Sequence, residues 1–491
     1  MNRRFFVTVI AFMLISQQLA TAQVVIKGRV IDAKSGDPVI GASVTVVDSD
    51  PPIGVVVDYN GDFSIEVPDM NVELHASFIG YEGLTMKASQ NMLMKLDDGL
   101  VQLRKERREV LLTESDKRVV SHVNDLAFRL MREFPRQQST VFSPLSIACL
   151  LSLTNDGAAG RTRAELTRLL GAEPEETDSF YLKMIPYFTD SRIGSCFQMA
   201  NALFVNNRFA LKDEFRQQCT DNYAALVRNM DFSKAEAVRE VNDWVSRQTR
   251  GLIPGIVDST EPDALLYGLN AVYFESTWVC PFEKKDTRDE YFSLENGTRR
   301  KMPMMHRKSS FFYSDQKGYT ALRMPYKGEV RYDMTVLLPD EGHSVAEVLQ
   351  HLTPEAFSRL QNEMSNEKVD VKLPRFESEV RLHLNELLCQ LGIPTAFDES
   401  RSDFSLMADV TGYGPDARLC ISKILQKAKI EVNEEGTRAA AVTFDEVMVT
   451  GYGGKPKPRK EFVFHADRPF LYVITEQTTG TILFIGQYHG Q

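Results

Sequence analysis

The sequence predicts an α+β domain filling roughly the last three quarters of the chain, carried behind a small all-β sandwich. Three observations give that division. Between Val24 and Leu96 apolar residues alternate with the period of two that a half-buried strand imposes. Beyond Arg118 the period becomes 3.6, and helical patterns precede strand patterns, the order of an α+β domain. The residues between, 98–117, are dominated by charge (Arg104-Lys105-Glu106-Arg107-Arg108-Glu109) and lack a steady apolar stripe, so they read as a solvated linker, in part helical. At 491 residues the chain is also too long for one ordinary core.

Residues 1–22 carry Arg3-Arg4, the apolar run Phe5 to Ile15 and the small-x-small site Ala20-Thr21-Ala22. That is the layout of a cleaved signal peptide, with the mature chain starting near Gln23. The run is too short for a membrane span, and no Cys follows the cleavage site, so the chain is not expected to be a lipoprotein. Localisation is therefore expected to be periplasmic or secreted. The sandwich, residues 24–97, shows strands at Val25-Ile26-Lys27-Gly28-Arg29-Val30, Ala42-Ser43-Val44-Thr45-Val46 and Gly54-Val55-Val56-Val57. Asn60-Gly61 between alternating flanks signals a hairpin.

The large domain, 118–491, opens with an apolar helical face of Val119, Val123, Leu126, Ala127, Leu130 and Phe134, ended by Pro135. A second helix starts at Ser143-Pro144, with Ser as N-cap and Pro in the first helical position, and stops at Asn155-Asp156-Gly157. A third is expected at Thr162-Arg163-Ala164-Glu165, which has capping-box spacing. Strand patterns come next, at Leu203-Phe204-Val205, Met334-Thr335-Val336-Leu337-Leu338 and Val369-Asp370-Val371-Lys372-Leu373.

Composition narrows the function. A net charge of −10 argues against nucleic-acid binding. The six cysteines (Cys149, Cys196, Cys219, Cys280, Cys389, Cys420) are scattered without the spacing of a zinc site or disulfide framework, and read as structural thiols, with a disulfide left open in an oxidising compartment. The chain has no Gly-x-Ser-x-Gly, no His-Glu-x-x-His and no phosphate-binding glycine loop, and its eight histidines are not paired like ligands. Neither an enzyme, a metal nor a cofactor is implied.

Gly28-Arg29-Val30-Ile31-Asp32, Gly41-Ala42-Ser43-Val44, Asp58-Tyr59-Asn60-Gly61-Asp62-Phe63 and Ser77-Phe78-Ile79-Gly80-Tyr81 resemble the carboxypeptidase-regulatory-like domain, a transthyretin-like sandwich. That resemblance implies either docking to an envelope protein or glycan, or a spacer. The larger part resembles the serpin family. The match begins with Val141-Phe142-Ser143-Pro144-Leu145-Ser146-Ile147 and Gly157-Ala158-Ala159-Gly160-Arg161-Thr162. It continues through Ala200-Asn201-Ala202-Leu203-Phe204-Val205, Asn270-Ala271-Val272-Tyr273-Phe274 with Trp278, and Leu373-Pro374-Arg375-Phe376, to Asp467-Arg468-Pro469-Phe470 and Leu483-Phe484-Ile485-Gly486. The resemblance implies helices with three β-sheets and an exposed reactive loop, here about 434–462. It implies a suicide inhibitor of serine or cysteine proteases: the target cuts the loop, stays bound as an acyl-enzyme, and the loop's N-terminal part enters the central sheet. Loop insertion of this kind is a known example of strand addition.

The residues that carry this chemistry follow the family pattern. The hinge is Glu434, Glu435, Gly436, Thr437, Ala439, Ala440 and Ala441. Gly436 supplies backbone freedom, and the inward phase Thr437, Ala439, Ala441, Thr443 holds no charge that insertion would bury. Ser143, Ser146, Asn270, Gln426 and Trp278 are assigned to the cluster where the sheet opens. Gln426 stands where many serpins carry histidine, so a pH dependence of opening that relied on histidine is expected to be absent. The scissile bond is assigned to Thr450 and Gly451, with Tyr452 and Gly453 as second choice, which suits an elastase- or subtilisin-like target. Asp445-Glu446-Val447-Met448-Val449-Thr450-Gly451-Tyr452-Gly453 is also similar to an exposed segment of receptors that carry such a sandwich. No transmembrane segment is expected after the leader, and the chain is expected to be a monomer. The competing class is a non-inhibitory serpin acting as a binding or chaperone-like module.

Overall fold

In the computed structural model the chain divides between Arg108 and Glu109, inside the stretch read as linker. The described residues are 24–33, 36, 38–39, 41–47, 49, 53–58, 60–78, 83–96, 110–135, 137–189, 195–410, 417–437 and 461–490. The leader and the assignments at Ala439, Ala440, Ala441, Thr450, Gly451, Tyr452 and Gly453 lie outside them.

The first unit is a sandwich whose alternation is visible strand by strand. β1 (Val24–Asp32), β4 (Asp62–Val67) and β7 (Met92–Leu96) form one sheet in the order β4-β1-β7. β2 (Ser43–Val46), β3 (Gly54–Val56), β5 (Glu73–Ser77) and β6 (Leu84–Lys87) form the other in the order β3-β2-β5-β6. Ile26, Val30, Val44, Ile65, Leu74 and Met94 are fully buried between them. Asn60-Gly61 does make a turn, with Gly61 at φ 85 and its N–H donated to the Asp58 carbonyl. The expected hairpin is absent, however, because β3 and β4 lie in opposite sheets. The turn instead fixes a corner: the Gly61 carbonyl accepts from Val30 N, and Asp58 Oδ1 accepts from Asn60 N and Asp62 N.

The second unit begins with α1 (Glu114–Glu133), earlier than Arg118, because Thr113 and Asp116 form a reciprocal capping box. α2 (Pro144–Asp156) starts at the Ser143 cap as the sequence indicates, and every one of its residues is buried, as an all-round apolar helix requires. α3 (Gly160–Leu170) starts before Thr162, so no capping box forms there. Thr162 Oγ1 accepts from Asp403 N, and Glu165 accepts from the N–H and hydroxyl of Thr395. α4 (Pro174–Phe188), α5 (Asp213–Tyr223) and α6 (Glu236–Gln248) come after it, then α7 (Val345–His351), α8 (Pro354–Glu363) and α9 (Asn385–Gln390).

Two large sheets organise this unit. The first has the order β11-β9-β12-β21-β20-β18, from β9 (Ser195–Asn206), β11 (Leu226–Met230), β12 (Leu266–Thr277), β18 (Phe376–His383), β20 (Lys423–Val432) and β21 (Gly436–Thr437). The second contains β8 (Thr140–Phe142), β13 (Arg288–Ser293), β14 (Arg299–Gln316), β15 (Tyr319–Pro325), β16 (Tyr332–Pro339), β17 (Ser365–Pro374), β22 (Glu461–His465), β23 (Phe470–Glu476) and β24 (Thr481–Tyr488). It is two ladders run together by the 18-residue β14, whose first part pairs with β13 and β17 and whose last residues pair with β15. β10 (Ala210–Leu211) and β19 (Ala408–Asp409) make a small separate pair. α2 packs behind β9, β12 and β24, which puts its N-terminus under the centre of the first sheet.

Candidate functional site

The first sheet is closed at one end and parted at the other. β12 and β20 pair in parallel from Tyr267–Lys423 to Tyr273–Lys429. Beyond Tyr273 the neighbour of β12 becomes β21, with Ser276 opposite Thr437 and Thr277 opposite Gly436, while Val432 of β20 faces Thr437 from the other side. The chain therefore leaves β20, turns through Asn433, Glu434 and Glu435, and re-enters the gap antiparallel to both strands.

Each residue of that turn is held. Asn433 Oδ1 accepts from Glu435 N and Gly436 N, and the Asn433 carbonyl accepts from Trp278 Nε1 at 3.0 Å. The Glu434 carbonyl accepts from Phe282 N and that of Glu435 from Trp278 N, each at 2.8 Å. The Glu434 carboxylate, 2% exposed, meets Arg375 at 2.5 Å and accepts from Thr287 Oγ1 at 2.8 Å. Burial works against its charge, but Arg375 and Thr287 outweigh that and hold the carboxyl below its ordinary range. Glu435 pairs with Lys284 at 2.6 Å at the exposed rim. Thr437 is fully buried, its hydroxyl 2.5 Å from that of Tyr326, whose ring stacks on Trp278 at 4.2 Å.

The reason for glycine at 436 differs from the expectation. Its backbone is not in the left-handed region; a Cβ there would lie 2.0 Å from the Ser276 carbonyl oxygen and 2.7 Å from Thr277 Cα. Gly436 is required because two strands approach too closely for any side chain.

At the closed end lies a buried polar row. Asn201, Asn270 and Gln426 stand side by side on β9, β12 and β20. Gln426 Nε2 donates to Asn270 Oδ1 at 2.6 Å and to the Ser143 carbonyl at 3.1 Å, while its Oε1 accepts from Ser143 N at 2.9 Å. Asn270 Nδ2 donates to Asn201 Oδ1, to Ser146 Oγ and to the Ser146 carbonyl. Asn201 Nδ2 in turn donates to Cys149 Sγ at 3.3 Å. Ser143, Ser146, Asn270 and Gln426 are thus brought together, joining β12 and β20 to the start of α2. The members are amides and hydroxyls, so the row can exchange partners without changing charge.

Trp278 does not belong to that row. It lies eight positions beyond Asn270, about 26 Å along an extended chain, and serves the parted end instead. Asn201, Tyr326, Thr287 and Arg375 are partners that sequence reasoning did not assign. Asn201 alone gave a signal, a polar residue within the otherwise apolar strand Ala200-Asn201-Ala202-Leu203; the rest meet the hinge from distant stretches.

Comparison with known proteins agrees with this geometry. Residues 121–490 match the Serpin (serine protease inhibitor) family, and residues 26–105 match the CarboxypepD_reg-like domain. An uncharacterised serpin-like protein of Thermococcus kodakarensis is 34% identical over 77% of this chain and 87% of its own. Serpin B6 of Macaca fascicularis is 31% identical over 74% and 96%. Among solved structures, the thermophilic serpin Tengpin in the native state superposes with a TM-score of 0.70 and 26% identity, covering 78% of this chain and 96% of that one. Human thyroxine-binding globulin in its thyroxine complex gives a TM-score of 0.68 at 26% identity, over 76% and 98%.

Proposed function

The chain belongs to the serpin family, and from that premise we propose that it is an exported, single-use inhibitor of serine or cysteine proteases. One observation carries the reading: Gly436 and Thr437 already sit between β12 and β20 at the parted end. A chain threaded there can be extended inward strand-fashion, and its register sets which residues it would meet.

Continuing the pairing of Ser276 with Thr437 and of Val432 with Thr437 brings position 443 opposite both Asn270 and Gln426. Thr443 would then separate the two amides and offer its hydroxyl in place of the bond they share. Thr437 faces inward, so alternation turns Ala439, Ala441 and Thr443 inward and Arg438 outward. Small or hydroxyl side chains in the inward phase, with the one charge in the other, support insertion over a loop kept for binding alone.

The chemistry is the protease's own. Its nucleophile attacks the Thr450 carbonyl, the Gly451 amine departs, and an acyl-enzyme remains, an ester on a serine or a thioester on a cysteine. Entry of the freed segment into the sheet then carries the acylated protease away before water completes hydrolysis. Export rests on the leader at 1–22, and the sandwich is a docking module for an envelope protein or glycan. The segment Val447-Met448-Val449-Thr450 favours elastase- or subtilisin-like targets, and its likeness to the receptor segment makes a protease that clips such receptors a natural one.

Titrating such a protease with the protein should abolish its activity at about one equivalent, and the released C-terminal fragment should begin at Gly451 or Gly453 by mass. A fragment beginning after Arg459 or Lys460 rejects the specificity, and undiminished activity rejects inhibition.

A further inference from the structure

β20 ends at Val432, and the four residues Asn433-Glu434-Glu435-Gly436 turn the chain back toward the gap. Their order is that of a turn, with Asn first, where its side chain can bond the backbone that follows, and Gly last. Asn433 makes that bond twice, its Oδ1 accepting from Glu435 N at 3.0 Å and from Gly436 N at 3.2 Å. Its own N–H donates to the Gly436 carbonyl at 2.9 Å, and its carbonyl accepts from Trp278 Nε1 at 3.0 Å. One half-buried residue thus closes the reversal on itself.

Little else fixes the direction in which the chain leaves the turn. β21 has two residues; both meet β12, but only Thr437 meets β20. The Glu434 and Glu435 carbonyls fasten the turn to Phe282 N and Trp278 N, which fixes where it lies rather than where it points. Their carboxylates are taken by Arg375, Thr287 and Lys284, so neither can stand in for the Asn433 oxygen. Removing that oxygen would leave Glu435 N and Gly436 N without the acceptor that pays for their burial.

We propose that Asn433 is a positioning residue that points the hinge into the sheet before any cut, and so sets what share of cut molecules insert before the acyl bond is hydrolysed. The second half of this rests on the insertion reading above; the first does not. A hinge already aimed at the gap has only to be extended, whereas one released from the turn must first find its entrance while water competes for the acyl-enzyme. Two measurements on the full chain separate the halves. Hydrogen exchange at the buried Trp278 indole N–H reads the turn without a protease, and since the chain has two tryptophans, Trp244 and Trp278, a Trp244→Phe variant assigns the signal. Stoichiometry of inhibition against an elastase- or subtilisin-like protease reads the partition.

Asn433→Ala should speed exchange of the Trp278 indole hydrogen at least about five-fold, the effect of losing two hydrogen bonds to one oxygen. It should also raise the stoichiometry from about one protein per protease to about three or more on the same scale, with the rate of the first cut unchanged. Asn433→Gln, which keeps the amide but moves its oxygen by one carbon, should behave like the alanine variant and serves where alanine does not fold. Asn433→Asp keeps the acceptor in place and should restore both readouts. A residue that merely stabilised the fold would lower the thermal midpoint and leave the stoichiometry alone well below it. Alanine and glutamine variants that trap as efficiently as the parent, or an aspartate variant that fails to restore trapping, would overturn the assignment. A parent that traps no protease, with Trp278 still exposed to exchange by the alanine change, would reject the inhibitory reading and leave Asn433 as the residue that turns the hinge.

Discussion

Single residues decide what the parted sheet tolerates. Glu434 is buried with an arginine and a threonine as partners, Gly436 has no room for a Cβ, and Thr437 has one hydroxyl to pair with. A quite different residue sets the response to pH. Asp156, at the end of α2, is nearly buried, and neither of its oxygens receives a hydrogen bond. The Tyr223 hydroxyl gives its one proton to Asp178 at 2.5 Å, and Gln218 serves the other Asp178 oxygen. Burial first, and then the charge of Asp178, push the Asp156 carboxyl up to about 9. The folded chain therefore keeps a proton that the unfolded chain gives up near the ordinary aspartate value of 3.8. This stabilisation is complete below that value and is lost as pH rises toward about 9. Asp156→Asn, which keeps the neutral form, should match the parent in acid and exceed it at pH 8 by about 2 kcal/mol or more. Urea unfolding across that range checks this; parallel curves would show that Asp156 is charged in the native state.

At the scale of elements, the legible features were those written locally. The Ser143-Pro144 start of α2 and the strands β1, β2 and β3 follow from sequence because cap and strand preferences act within a few residues. Thr162 misled for the same reason: a capping pattern was present, but Asp403 from a distant loop claimed its hydroxyl. The turn at Asn60-Gly61 was readable, while the sheets to which its flanks belong were not, since strand pairing is a long-range choice. The polar row mixes both kinds of information. Ser143, Ser146, Asn270 and Gln426 were assigned from sequence and Asn201 was not, and only register places Asn201, Asn270 and Gln426 in line. That register makes a prediction for position 443. Thr443→Val should leave Asn270 and Gln426 with one partner fewer after insertion and slow it about five-fold. Thr443→Ser should be neutral, and Thr443→Lys should let the cut chain escape uninserted. Stoichiometry of inhibition reads all three, and a valine variant as efficient as the parent would mean that the strand enters in another register.

Over the whole molecule, the two units were separable in sequence by their periods, and the α+β order of the larger one was visible from helices preceding strands. What sequence could not supply was the state of the central sheet. Composition cannot tell a closed sheet from one already parted with two residues between its strands, because that depends on how Arg375, Thr287, Trp278 and Tyr326, drawn from four separate stretches, meet one turn. The account's central claim is that this opening receives a cut loop while the protease is still attached. Its most direct test is to mix the protein with an elastase- or subtilisin-like protease and denature the mixture in SDS. The account predicts a band at the summed mass of the protease and the cut chain, formed at about one equivalent, and none with Ala439→Arg, which should be cut and released because insertion would bury an unpaired charge. A parent protein that is cleaved in its loop and releases active protease, or an Ala439→Arg variant that traps as well as the parent, would contradict it.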